Sequence, residues 1–159
     1  GEVLQFTGLP FFAPEIFRTV EIADPLRSKQ LKLGLAQLGE EGAIQVFRPH
    51  LGNMLLLGAV GVLQFEVVTH RLQHEYQVTV RIAPAKYQLA RWITADDPKE
   101  LQRFIDANSH RIAYDAVDAP TFLASFGAEL SVAQDNWPAI HFHKLREHAG
   151  LVFQNHTDV

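Results

Sequence analysis

The segment VLQFEVVTHRLQHEYQVTVRI, residues 62–82, decides the fold because its hydrophobic period changes partway along. From Phe65 to Tyr76 the apolar residues are three or four positions apart, which places them on one face of a helix. From Val78 to Ile82 apolar and polar residues alternate, which is the period of a strand with one buried face. The segment therefore predicts a helix over residues 62–76 followed directly by a strand.

Upstream of this segment the sequence predicts a strand, a helix and a pair of strands. Residues 15–22 have the pattern of a strand, and Asp24-Pro25 is a typical helix start because Asp caps free amides and Pro fits the first turn. Residues 43–47 and 54–60 are apolar enough for two buried strands, with Gly52-Asn53 as a turn between them. The resulting β-α-β-β-α-β order predicts a ferredoxin-like unit, in which a four-stranded antiparallel sheet carries two helices on one face.

A second, smaller α/β unit is predicted after Pro84, packed beside the first, so the fold class is α+β. One of its helices is expected to start at Asp97-Pro98, and the other is expected to cover residues 128–136. Its strands are expected over residues 90–94, 111–114, 121–126 and 140–143. The expected boundaries are residues 14–84 and 85–148 for the two units, with a loose tail over residues 149–159.

Composition excludes several classes of function. The chain has 159 residues and no cysteine, which excludes disulfides, thiolate catalysis and thiolate-bound zinc. No apolar stretch approaches the ~20 residues of a membrane helix, so no membrane partner is expected. The sequence lacks the phosphate-binding loop of nucleotide hydrolases and the serine elbow of esterases. The net charge of −4 is unfavourable for coating nucleic acid with the whole surface.

Histidine offers one candidate metal site, on the second predicted helix. Glu66, His70 and His74 are four residues apart and share a face, as metal ligands on a helix do. This face is opposite the apolar one and is expected to be wet, whereas zinc sites are dry and buttressed. A solvated helix face is the preferred interpretation, and we assign no metal, cofactor-binding or catalytic residue to this chain.

Two basic clusters suggest contact with an anionic partner such as RNA. Arg27, Lys29 and Lys32 occupy the first turns of the first helix, where the helix dipole favours acidic residues. The C-terminal cluster supplies five more candidates: His141, His143, Lys144, Arg146 and His148. Contact with RNA phosphates is one interpretation of this cluster, and a solvated edge strand protected by Lys is the other. Arg91-Trp92 could stack on bases, but a Trp that closes the core between the units is the preferred interpretation.

Several motifs together resemble one known family. They are FTGLP at 6–10, FAPE at 12–15, LGEEGAIQVF at 38–47, GAVGVLQFEVV at 58–68, ARW at 90–92 and REH at 146–148. In order and spacing they resemble the C-terminal region, or third domain, of the peptide chain release factor 3 family of translational GTPases, from about Glu2 to His148. Residues 24–80 are similar, more loosely, to the third domain of elongation factor G, which has the same β-α-β-β-α-β order.

The resemblance implies that this chain is the non-catalytic C-terminal part of a longer GTPase. A GTP-binding domain, with GTP and Mg²⁺, and a β-barrel are implied upstream, which makes residues 1–13 the end of the barrel or a linker and explains a mid-strand start at Gly1. Factors of this family enter the ribosome after peptide release and expel the stop-codon-reading class I release factors. The implied partners are the ribosomal small subunit, through rRNA and protein, and the upstream domains, and the implied location is the cytoplasm.

The sequence departs from the family pattern at two places. Leu145 stands where a small polar residue is expected before Arg-Glu-His, and residues 149–159 extend past the usual end.

From the residues alone, the chain could be an autonomous ferredoxin-like domain that binds a small regulatory molecule. A metal-dependent hydrolase built on Glu66, His70 and His74 is the more remote alternative.

Overall fold

The first half of the chain forms the elements that the sequence predicts, in the predicted order. The computed structural model describes residues 11–146, so the tail predicted at residues 149–159 lies outside the described residues. The elements of this half are β1 (Phe11–Phe12), β2 (Ile16–Ile22), α1 (Ser28–Glu40), β3 (Gln45–Pro49), β4 (Leu56–Ala59), α2 (Leu63–Tyr76) and β5 (Val80–Pro84). Strands β2 to β5 form an antiparallel sheet in the order β5-β2-β4-β3, with α1 and α2 packed on one face. The predicted ferredoxin-like unit is confirmed.

Helix α1 begins later than predicted. The Asp24 carboxylate accepts a hydrogen bond from the Leu26 amide at 3.0 Å, as expected of a cap. The capped segment Pro25–Arg27, however, is a single turn of 3-10 helix, and the α-helix starts at Ser28. Arg27 ends the 3-10 turn and is the N-cap of α1, because its backbone, with φ −103° and ψ 19°, leaves the helical region.

The second half repeats the topology of the first. Its elements are β6 (Leu89–Ala95), α3 (Pro98–Ala107), β7 (Ile112–Tyr114), β8 (Pro120–Ala124), α4 (Gly127–Asn136), β9 (Ile140–His143) and a short final strand β10 (Leu145–Arg146). The order β7-β8-β6-β9 is the same arrangement of second, third, first and fourth strands as in the first unit. The predicted α/β unit is therefore a second β-α-β-β-α-β unit. Its Arg91 and Asp97-Pro98 occupy the places of Arg18 and Asp24-Pro25 in the first.

Strands β3 and β7 join the two units into one eight-stranded sheet. Residues 48–49 of β3 pair antiparallel with residues 113–114 of β7, and the His50 amide donates to the Ile112 carbonyl at 2.8 Å. Each joining strand is the second strand of its unit, so the units meet through equivalent edges. The second unit thus lies beside the first, as predicted, and the contact includes backbone hydrogen bonds that no local pattern indicated.

Three hydrophobic cores stabilise this sheet. One lies beneath α1 and α2, and a second lies beneath α3 and α4. The third lies on the opposite face and draws on both units, through Phe17, Phe47, Leu56, Ala90, Ala113 and Leu123. Burying a large apolar side chain contributes about 1.5–3 kcal/mol, so a shared core couples the stability of the two units.

The two ends of the described chain lie together. Strand β1 pairs antiparallel with β10, and the Ala13 amide donates to the Lys144 carbonyl at 2.8 Å. Among residues 11–146, no helix is long and apolar enough to cross a membrane. The first and last described strands of the chain, β1 and β10, thus pair with each other beside β6.

Candidate functional site

The start of α1 presents a cluster of exposed positive charge. Arg27, Lys29 and Lys32 are all exposed, and the first turn of α1 contains no acidic residue. The Arg27 guanidinium lies 4.0 Å from the Asp24 carboxylate, and an exposed ion pair of this length adds little stability. Within the described residues neither lysine has a carboxylate partner in an ion pair. The structure thus brings these three predicted residues together and leaves their charge available to an anionic ligand.

A groove beside this cluster adds a cation that the sequence did not indicate. The groove has a volume of about 620 Å³ and lies between α1, the end of β2 and the β3–β4 connection. Lys32 and Arg48 line it, together with the apolar side chains Val20, Leu31 and Leu55. Arg48 also forms an ion pair with Asp118 and lies over the Tyr114 ring, 5.7 Å from its centroid.

The chemistry of this groove suits an anionic ligand. Lys32 can attract a phosphate, and Arg48 can do so in competition with Asp118. Glu21 also lines the groove, but its carboxylate accepts hydrogen bonds from Arg81. Arg48 was missed by sequence reasoning because one arginine at the end of a strand has no distinguishing pattern.

The C-terminal cluster is divided by the structure. His141 is partly exposed and lies 3.6 Å from the Asp96 carboxylate, and Lys144 is exposed. His143, only 3% exposed, shares a 2.7 Å hydrogen bond with the Thr94 hydroxyl. The expectation that His143 contacts RNA is therefore wrong for this structure. The rings of His141 and His143 lie on the same side of β9, with centroids 6.4 Å apart. After His143 the chain turns, and β10 lies beside β6.

The last two residues of this cluster cannot be assigned a contact. Arg146 belongs to β10, where its backbone pairs with Phe11, and its side chain is outside the described part of the chain. His148 lies outside the described residues altogether.

The two basic clusters lie at opposite ends of β2. The α1 cluster follows the last residue of this strand, whereas the Lys144 carbonyl binds the Ala13 amide just before its first residue. At ~3.3 Å per residue, a strand of this length separates the clusters by roughly 20 Å. They are two separate surfaces.

The histidine candidates on α2 are exposed, and the tryptophan candidate has a structural role. Glu66, His70 and His74 lie on the exposed face of α2, as predicted, and the two rings stack with centroids 4.0 Å apart. Within residues 11–146, no three His, Asp or Glu side chains are arranged so that they could hold a metal ion. Trp92 is buried and its indole donates to the Asp115 carboxylate at 3.0 Å, so it belongs to the core and is not a stacking platform for bases.

One further charged network ties α1 to α2. Arg71 donates to Glu41, just after α1, at 2.6 Å and to Glu75, one turn along α2, at 2.8 Å. The guanidinium lowers the pKa of both carboxyl groups, and the two carboxylates in turn raise the pKa of Arg71. This network is exposed and supports the helix pair. It was missed because residues 41 and 71 are distant in sequence.

Comparison with known proteins identifies what the chain is similar to. Residues 6–134 match the family described as class II release factor RF3, C-terminal domain. The chain is 85% identical over 154 residues to peptide chain release factor 3 of Nitrosomonas europaea, a match that covers 97% of this chain and 29% of that protein. It is 61% identical over 158 residues to peptide chain release factor 3 of Bordetella petrii, covering 99% of this chain and 30% of that protein. The chain thus spans less than a third of the length of these relatives.

Proposed function

The chain belongs to the family of class II release factor RF3 C-terminal domains, and from that premise we propose that it is the ribosome-contacting part of a translation termination GTPase. The parent protein promotes the GTP-dependent release and recycling of stop-codon-reading class I release factors from ribosomes in the cytoplasm. Family membership favours this function over an autonomous domain that binds a small regulatory molecule.

The α1 cluster is the observation that supports ribosome contact most directly. Ribosomal RNA is a polyanion, and Arg27, Lys29 and Lys32 offer it exposed charge beside a groove that also contains Arg48. Contacts to phosphates position a protein without reading sequence, which suits a factor that binds one fixed place on a large RNA. Lys144 and the exposed part of His141 form a second, smaller candidate contact on the same proposal, where rRNA or a ribosomal protein could bind.

The shared sheet and core support a mechanical role. Two units joined through β3 and β7, with a common core, are expected to move as one body. A body of this kind can transmit a change in the upstream domains to the ribosome without bending at its middle. We propose residues 1–13 as the connection to the upstream β-barrel, residues 14–84 and 85–148 as the two units, and residues 149–159 as a tail.

Hydrolysis of GTP is assigned to the upstream part of the parent. This chain supplies no catalytic residue in the proposal, and GTP and Mg²⁺ bind upstream. The partners of the present chain are therefore the small ribosomal subunit and the upstream GTPase and β-barrel domains, with class I release factors affected indirectly.

Truncation of the full-length parent tests this proposal. A parent that ends before residue 14 of this chain is expected to bind GTP normally, because the proposed nucleotide site lies upstream. It is expected to lose recycling of class I release factors from termination complexes. Retained GTP binding is the control for correct folding of the upstream part. Recycling at the normal rate by the truncated protein would overturn the proposal.

A further inference from the structure

The start of α2 exposes a compact apolar surface. Val60, Val62, Leu63 and Val67 each expose between 50% and 67% of their surface, although they lie within eight residues of one another. Leu63 and Val67 are one turn apart, which places them on the same face of the helix. We call these four residues the α2 apolar patch. Single exposed apolar residues are ordinary, but a cluster of them marks an interaction site.

The patch is held rigidly in its exposed position. The Gln64 side chain accepts hydrogen bonds from the Val60 amide at 3.0 Å and the Gly61 amide at 2.9 Å, and it donates to the Ala43 carbonyl at 2.9 Å. Val62 occupies the N-cap, where a polar side chain is usual, and makes no capping bond. The Gln64 side chain therefore bonds the free amides before the helix, and Val62 remains apolar and exposed. A local rule broken in this way indicates a functional surface.

The patch also lies where the polypeptide arrives from upstream. Phe12 of β1 is 59% exposed and lines the same cavity as Val60. The Gln45 side chain donates to the Phe12 carbonyl at 2.8 Å and so fixes β1 beside this cavity. Val60, at one end of the patch, thus lies on the same cavity as the first described strand of the chain.

The rest of the parent protein is the occupant that fits this surface. The family description names a C-terminal domain, and the chain covers only 29% of its relative from Nitrosomonas europaea. In the parent proposed above, a large upstream portion is joined to the chain before Phe12 and is tethered next to the patch, where its effective concentration is high. The patch itself is made of Val and Leu side chains, and the groove that Val62 lines contains acidic Glu66 as well as Arg18 and His70. An apolar protein surface therefore suits the patch better than RNA phosphates do. We infer that the α2 apolar patch is the docking surface for the upstream domains of the parent.

Site-directed cross-linking in the full-length parent tests this inference. A photo-crosslinking side chain is placed at position 63 or, as a matched control, at position 132, where Val132 is a similarly exposed residue on α4. Without ribosomes, position 63 is expected to cross-link to upstream residues of the same chain at least tenfold more than position 132. Equal yields at the two positions would overturn the inference. So would cross-links from position 63 that form only to ribosomal components once ribosomes are added.

A pair of substitutions gives a second readout. Leu63→Asp with Val67→Asp, made in the full-length parent, is expected to increase hydrogen exchange in the upstream segment identified by cross-linking. Exposed positions of α2 tolerate this change, so the helix itself is expected to keep its protection. Unchanged exchange upstream would contradict the inference.

The inference rests on the proposed multidomain parent but does not depend on ribosome contact. A parent that fails to cross-link at position 63 but still needs this region for recycling would refute the docking surface alone. A parent that cross-links as expected but recycles normally after truncation would refute the proposed function alone.

Discussion

Substitution of Leu72 is expected to destabilise both units although it lies in only one of them. Leu72 belongs to the core beneath α1 and α2, where it is completely buried. Leu→Ala changes in cores cost about 2–5 kcal/mol, and the value rises when the surroundings cannot close the cavity. A Cβ atom added at Gly34 would lie 2.7 Å from the Leu72 Cδ2 atom, so the packing here is tight. We expect Leu72→Ala to cost about 3–4 kcal/mol by this comparison.

Urea unfolding followed by tryptophan fluorescence is the assay. Both tryptophans, Trp92 and Trp137, lie in the second unit, so fluorescence reports on the unit that does not contain the substitution. With a urea dependence of about 2 kcal/mol per molar, the fluorescence midpoint is expected to fall by about 1.5–2 M. Leu63→Ala, an exposed position on the same helix, is the matched control and is expected to change stability by less than about 0.5 kcal/mol.

The same site allows a rescue experiment. Gly34→Ala alone is expected to destabilise the chain because its Cβ would contact Leu72. In the Leu72→Ala background that contact is gone, although the Cβ still lies 3.0 Å from the Tyr76 ring, which must shift slightly. The added methyl group then fills part of the cavity and improves helix propensity by ~1 kcal/mol. The two changes should therefore be far from additive. A fluorescence midpoint that does not respond to Leu72→Ala would refute the single two-unit body.

Two further predictions concern packing and pH. Gly58→Ala is expected to cost about 1–3 kcal/mol because its Cβ would lie 2.6 Å from Pro14, whereas Gly127→Ala, with open space around it, should be neutral or slightly stabilising; urea midpoints compare the two, and equal midpoints would contradict the packing. Arg71 holds the pKa of Glu41 and Glu75 below 4.5, so its ion pairs stabilise the fold above about pH 4.5 and lose this effect as the pH falls through the lowered values. Arg71→Gln is therefore expected to lower stability at pH 7 and to have little effect at pH 2, and an equal loss at both values would contradict the assignment.

Local patterns predicted the elements of this fold well. The change of period between α2 and β5, the Asp97 cap of α3 and the β-α-β-β-α-β order of the first unit are all properties of neighbouring residues, and all are confirmed. The join between β3 and β7 was not predicted, because it pairs residues far apart in sequence through backbone groups that every residue carries.

The candidate site was predicted in part for the same reason. Arg27, Lys29 and Lys32 are close in sequence, so their clustering was visible before the structure. The alternation of β9 placed His141 and His143 on one side, but His143 is 3% exposed and bonds to Thr94, which lies 49 residues away in sequence. Long-range contacts of this kind decide which members of a sequence cluster reach the surface.

Charge reversal in the α1 cluster is the most direct test of ribosome contact. Lys29→Glu with Lys32→Glu in the full-length parent reverses exposed charge without touching a core. Ribosome affinity is measured over a salt series, and Lys99→Glu at the equivalent start of α3 is the matched control. The account predicts weaker binding and a slope of log affinity against log salt that is smaller by roughly 1–2, while the control keeps the original slope. Unchanged affinity and slope in the double variant would contradict it.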